Sequence, residues 1–232
     1  MRHLVVVLCL SLLGSPAVAG LVNGDFETGT LSHWSALGDA TVSGGADYGS
    51  AGKVQPEGLQ AAKLRSAGLD AADLATLLGV SPATLDASNG GTKATQGSMI
   101  FQSVSAAAGD AFSFRWNFVE HDYLPYDDWA FYAIRKAGGP ASIFKFASLA
   151  TVGPGAGTTI NGWETLTFQI AEAGHYTFYF GILDAVDTAL QSELWIDGLA
   201  TTRPVAVPEP GTWALAGLGL LCVAAVRRRR RG

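Results

Sequence analysis

The chain has 232 residues, enough for one well-buried domain, with 15 Lys and Arg against 20 Asp and Glu. Setting aside Arg2 and the arginines at 227–231, nine basic residues remain against twenty acidic ones, a balance near −11 that argues against nucleic acid or anionic lipid as partners. The two cysteines, Cys9 and Cys222, both lie in terminal apolar runs, so the region between them offers no disulfide and no thiolate metal site.

At the start, Met1-Arg2-His3 is a short basic region, Leu4–Leu13 is apolar, and Ala17-Val18-Ala19 is an A-x-A site. This predicts a signal peptide over 1–19, cut by signal peptidase once, at the site marked by Ala17 and Ala19, to leave Gly20 first. An apolar run of about ten residues is well short of the ~20 needed to span a bilayer. Residues 20–203 are then expected to form the exported domain.

Leu21–Glu27 reads Leu-Val-Asn-Gly-Asp-Phe-Glu and leads through Gly29 to His33-Trp34, which predicts a strand entering a glycine turn. Ala40–Ser43 and Gln60–Arg65 are further short strands. A helical insertion is expected at about 68–87. Its first helix has Asp70 as N-cap, Asp73 in the first turn, Leu74, Leu77 and Leu78 on one face, and Gly79 as stop. Its second has Ser81 as N-cap and Pro82 at the first helical position. The acidic, exported setting favours a helical cap on a β domain over a DNA-binding helix-turn-helix.

From Gly97 onward strand signals dominate: 99–104, 111–118, 129–134, 143–149, 164–170, 175–183 and 194–197 are short, aromatic or β-branched, and separated by Gly, Pro or Asp. Phe112, Phe114, Trp116 and Phe118 share one face, and the pattern returns at Tyr176, Phe178 and Phe180, with Tyr179 on the opposite face. One aromatic face per strand suits a two-sheet sandwich. The opening Asn23-Gly24-Asp25-Phe26-Glu27 resembles the first strand of carbohydrate-binding-like jelly rolls, with His33 where their glycine usually stands. The resemblance implies a mainly β, jelly-roll-like sandwich as a single ectodomain.

Chemistry concentrates in the loop Glu120–Asp128. Its hard oxygen donors suit Ca²⁺, with Asp122, Asp127 and Asp128 as candidate ligands, although the spacing fits no EF-hand and a solvated acidic loop is the plainer reading. A second candidate pairs Asp25 or Glu27 with Asp197, because the first and last strands of a jelly roll can lie close together. His33, His121 and His175 form no metal motif, and no Gly-x-Ser-x-Gly elbow occurs. Glu120 and Glu164 are a nominal glycosidase pair whose separation a sequence does not give. No catalytic residues are assigned. Trp34, Trp129 and Trp163 are candidates for stacking on sugar rings if exposed and core fillers if buried.

The tail joins a linker at 204–211 containing Val207, Pro208, Glu209, Pro210 and Gly211 to an apolar run at 212–226 and a basic end at 227–232. Two prolines around an acid make an extended, accessible peptide. The run is expected to be a transmembrane helix, though fifteen residues reach only about 22 Å against a hydrocarbon core of ~30 Å. Arg227, Arg228, Arg229, Arg230 and Arg231 would stop transfer and stay cytoplasmic, with Trp213 at the other interface. The order of Pro-Glu-Pro, short apolar helix and Arg cluster resembles the PEP-CTERM sorting signal read by exosortases. The run from Gly97 through Phe114–Phe118 to Tyr126–Phe131 is similar to ectodomains found with it.

The resemblance implies export across the inner membrane, transient anchoring there, exosortase as processing partner, and a final place at the cell surface or outside the cell. The expected role is structural or binding, with extracellular polysaccharide as a contact and Ca²⁺ as the one cofactor considered. The rivals are a carbohydrate-active or other hydrolase on the same tail, and a permanently tail-anchored, calcium-dependent adhesion module.

Overall fold

The computed structural model describes residues 20–152, 158–203 and 210–229. The signal peptide read at 1–19, with Ala17 and Ala19, lies outside the described residues, as do Val207, Pro208, Glu209, Arg230 and Arg231.

Period-two aromatic and β-branched segments form two antiparallel sheets, each six-stranded among the described residues. The first runs β1 (Ser35–Leu37), β7 (Ala94–Ala106), β13 (Gly174–Ala185), β9 (Trp129–Lys136) and β10 (Ala141–Ser148), with β6 (Leu69–Asp70) also on β7. The second runs β11 (Thr159–Ile160), β8 (Ala111–Glu120), β14 (Glu193–Thr202), β5 (Ala61–Arg65) and β2 (Ala40–Ser43), with β12 (Glu164–Gln169) also on β8. A two-stranded hairpin of β3 (Ala46–Asp47) and β4 (Lys53–Val54) is separate. The fold is a mainly β sandwich with a small helical part.

Between the sheets lie Ile100, Phe112, Phe114, Trp116, Phe118, Phe178, Phe180, Ile182, Leu194 and Ile196. Phe114 meets Phe180, Phe146 and Tyr132 edge-on, at centroid distances of 4.9, 5.6 and 5.9 Å, each such pair adding about 0.5–1.5 kcal/mol beyond its burial. The outer face of the first sheet is covered as well. Helices α1 (Ala71–Leu78) and α2 (Pro82–Ser88) bring Leu74, Leu78 and Leu85 onto Met99, Trp129, Phe131 and Tyr179. This second core explains why Tyr179 faces away from its strand neighbours Phe178 and Phe180. A third, smaller cluster packs Val54, Ala61, Val119 and Trp195 together.

Glycine is required where strands carry rings across one another. Gly181 pairs with Phe131, and a Cβ there would lie 2.5 Å from the Phe131 Cζ; at Gly97 it would lie 2.2 Å from the carbonyl oxygen of Ile182.

Several expectations are corrected. Leu21–Glu27 forms no strand; Asn23, Phe26 and His33 take positive φ values of 53°, 53° and 70°. Burying Phe26 and donating the Trp34 Nε1–H to the Asn23 carbonyl (3.0 Å) turn the segment into a closed loop. His33 thus occupies a left-handed position, the conformation glycine adopts most readily. Asp70 stands at the α1 N-cap but its carboxylate caps nothing, and Leu77 is exposed; Ser81 does cap α2, accepting from Thr84 N at 3.3 Å.

A short helix α3 (Leu149–Val152) follows β10, and the tail forms its own unit, with helix α4 spanning Pro210–Arg229. The transmembrane helix expected at 212–226 is not supported: among the described residues no helix is long and apolar enough to cross a membrane. Glycines dilute a short apolar run, and Arg227, Arg228 and Arg229 occupy the last turn of the helix.

Candidate functional site

The acidic loop between β8 and β9 enters the protein. Asp122 is 2% exposed and Asp128 and Asp184 are fully buried, with one carboxylate oxygen of each lying within 4.8 Å of the others. Three separate segments supply them: the loop after β8, the residue before β9, and the end of β13. Asp128 is clamped on both oxygens, Oδ2 accepting from Ser66 Oγ (2.9 Å) and Ser192 N (3.1 Å) and Oδ1 from Ala185 N (3.1 Å). Asp184 Oδ2 accepts from Gln96 Nε2 at 3.2 Å, and Asp122 Oδ1 from Tyr123 N at 2.7 Å. The other oxygens, Asp184 Oδ1 and Asp122 Oδ2, are buried without a hydrogen-bond partner.

Among the described residues none of the three carboxylates forms a salt bridge. Two like charges ~4 Å apart repel by about 4 kcal/mol at an effective dielectric of ~20. The acid forms are favoured accordingly. Burial, followed by the Asp128 charge, pushes Asp184 up to about 8. Burial raises Asp128 to about 6 against the pull of its hydroxyl and backbone donors, and burial also raises Asp122. The arrangement is a dense set of hard oxygens in need of positive charge.

Of the loop candidates for Ca²⁺, Asp122 and Asp128 are therefore brought together, and Asp127 is not. Asp127 turns to the other side, its Oδ1 accepting from Ala150 N (2.8 Å) and its Oδ2 lying 3.8 Å from Lys145 Nζ. Asp184 was missed because the strand was read as ending at Leu183. The available signal was parity: after Phe178, Phe180 and Ile182, the next residue on the core side is an acid.

The second candidate set is closer to its expected arrangement. The N-terminal loop meets β14 through Leu199 N donating to Gly24 O (2.9 Å). Burial raises Asp197 to about 6, with the charges of Glu27 and Asp25 adding to it. Both Asp197 oxygens already accept backbone N–H groups, from Gly198 (2.7 Å) and Glu57 (3.0 Å). Glu27 Oε1 accepts from Leu59 N and Gln60 N at 2.7 and 3.0 Å, and Asp25 is exposed. Asp197 and Glu27 Oε1 are thus held by backbone donors, and neither residue has a buried oxygen without a partner.

The histidines take separate places. His121 packs against Tyr48 with its Nδ1 3.0 Å from Thr158 Oγ1, and burial lowers its pKa; His175 Nδ1 is 2.9 Å from Ser105 Oγ. Trp34 and Trp129 are core residues and offer no face to a sugar. Trp163 is half-buried, its Nε1 donating to Gln55 O at 2.6 Å with the Arg115 guanidinium 5.8 Å from the ring centroid. A better exposed ring escaped sequence reading. Phe144 on β10, 43% exposed, lies flat on Tyr132, which lies flat on Phe168, at centroid distances of 4.8 and 5.1 Å.

Glu164 pairs with Trp116 and Glu120 with Thr159, so the two glutamates stand four residues apart along β8. That is a backbone separation of about 13 Å at the ~3.4 Å rise of a strand.

Comparison with curated proteins gives no match. Among solved structures the chain is similar to TmCBM61 in complex with beta-1,4-galactotriose, at 16% identity and TM-score 0.45 over 79% of this chain and 97% of that one. It is similar to the CBM22-1 xylan-binding domain of Paenibacillus barcinonensis Xyn10C, at 12% identity and TM-score 0.38 over 78% and 94%. It is also similar to the K3 cleaved adhesin domain of Lys-gingipain from Porphyromonas gingivalis W83, at 13% identity and TM-score 0.43 over 81% and 100%. At these identities and scores nothing about a ligand transfers to this chain. The tail is more specific: residues 206–230 match the PEP-CTERM protein-sorting motif, and the chain is a β-sandwich protein carrying that sorting signal.

Proposed function

We propose that this is an exported cell-surface or extracellular-polymer protein whose β-sandwich has a structural or binding role. The observation that carries the reading is the sorting motif at 206–230. Such a motif implies export and exosortase processing. Its Pro208, Glu209 and Pro210 combine two residues without a backbone donor and a charged side chain just before and at the first residue of α4, a distinctive feature for an enzyme to recognise. Cleavage between Pro208 and Gly211 would release the sandwich from the α4 helix, which serves as a transient handle at the inner membrane and not as a lasting anchor.

The test fuses residues 204–232 to an inert exported reporter in a host with and without its exosortase. Surface delivery with loss of the tail, dependent on the enzyme, supports the reading. A reporter whose destination and length ignore the tail overturns it.

For the binding role, the Phe144–Tyr132–Phe168 stack and Trp163 are the rings to which polysaccharide contact is assigned. Glycan-array binding without turnover, weakened by Phe144→Ala, supports a module. Product release abolished by Glu164→Gln would support the rival hydrolase instead.

A further inference from the structure

We propose that Asp122, Asp128 and Asp184 bind a calcium ion that ties the 121–128 loop to the end of β13.

Two independent observations converge. The first is convergence itself: acids from three segments, up to 62 residues apart in the chain, place oxygens within 4.8 Å of one another inside the protein. The second is that two of these buried side chains each keep one oxygen without a partner, Asp122 Oδ2 and Asp184 Oδ1. A buried acceptor left unmade is costly, and more so when it carries charge. In both residues the sister oxygen is held by a donor, Tyr123 N or Gln96 Nε2, which fixes the direction of the free one. Asp128 is oriented by Ser66, Ser192 and Ala185. Such outer hydrogen bonds are how ligand carboxylates are held for a metal.

The donor set selects the ion. Three carboxylates and no nitrogen or sulfur suit a hard cation, and three clustered acids with no salt bridge among the described residues favour a divalent one. Three carboxylates supply three to six oxygens of the roughly six to eight that Ca²⁺ takes, carbonyls or waters completing the shell. Magnesium demands a near-ideal octahedron and retains its waters, which suits this enclosed, irregular site less well. The raised pKa values of the group point the same way, since a cation relieves the repulsion that protons otherwise relieve. Val186 (φ 76°) and Leu190 (φ 54°) hold left-handed conformations in the segment that follows. An ion on Asp184 would brace that segment from its N-terminal end.

The experiment is calorimetric titration of the purified, chelator-stripped chain with Ca²⁺ and separately with Mg²⁺, each paired with thermal melting. Wild type should bind one calcium at this site and melt higher with it. Asp184→Asn and Asp122→Asn, both folded by their melts in chelator, should each weaken that binding at least tenfold, while Asp197→Asn leaves it in place. No calcium uptake at millimolar concentration overturns the proposal, as does wild-type affinity in both Asp184→Asn and Asp122→Asn. Loss confined to Asp197→Asn would move the ion to the other cluster and overturn it too. Equal affinity for Mg²⁺ would overturn the choice of ion.

Discussion

Neutralising a buried acid should stabilise this protein without calcium and cost it stability with calcium, and Asp184→Asn is the variant that shows the inversion. Asp184 is fully buried, and burial together with the Asp128 charge pushes it up to about 8 from 3.8. At pH 7 that displacement is worth on the order of 4 kcal/mol against the folded, metal-free state. The asparagine retains an oxygen for Gln96 Nε2 and turns an N–H donor toward Asp128 and the unpaired Asp122 Oδ2. Allowing for one more buried amide, and for protonation already shared within the pair, roughly 2 kcal/mol should be recovered. For a domain of this size that raises the melting temperature by about 4–8 °C in chelator. In millimolar Ca²⁺ the wild type should rise past the variant, which should not respond. Melting curves followed by circular dichroism in chelator and in calcium decide it. A variant that melts lower than wild type in both conditions by the same amount would refute the electrostatic reasoning.

Other outcomes follow from the same geometry. Asp122, Asp128, Asp184 and Asp197 all have folded pKa values raised above the ordinary carboxylate value, to about 6 for Asp128 and Asp197 and about 8 for Asp184. Their stabilising contribution is complete below about pH 4 and is lost as pH rises through 6 and then 8, so the melting temperature in chelator should fall between pH 5 and 8. A rise over that range would contradict the burial assigned to these acids. Phe114→Ala removes a ring packed on three others and should cost about 3–5 kcal/mol in urea unfolding, whereas Phe144→Ala, at a half-exposed ring stacked on Tyr132 alone, should cost about 1–2 kcal/mol. Gly97→Ala must displace the Ile182 carbonyl and so part β7 from β13; about 2–3 kcal/mol or more of stability should go, read by the same unfolding curves.

Much of the architecture was legible because it is local. Period-two aromatics marked β8 and β13, and Gly79 and Ser81-Pro82 marked the boundaries of the two helices. The tail was readable for the same reason, its signal being contiguous. The failures are long-range. Leu21–Glu27 has strand composition, but Phe26 is drawn into the sandwich and Trp34 bonds back to Asn23, which bends the backbone into a loop. Trp129, which the sequence leaves open to a rim or a core place with the core the plainer reading, is in the core because α1 is laid over the first sheet and makes that face a second core. In the acidic loop, adjacent Asp127 and Asp128 serve opposite sides, one toward Lys145 and one toward Ser66 and Ser192. Asp184 joins Asp128 only because β13 and β9 pair in the sheet, a relation that no local pattern near either residue expresses.

The claim on which the rest depends is that the tail is an address and is removed at its destination. Intact-mass and C-terminal peptide mass spectrometry of the protein recovered from the surface of its native host tests this most directly. The account predicts a mature form ending between Pro208 and Gly211, at the very start of α4, without the remainder of that helix. A surface form that retains Arg227 to Arg231 would contradict it.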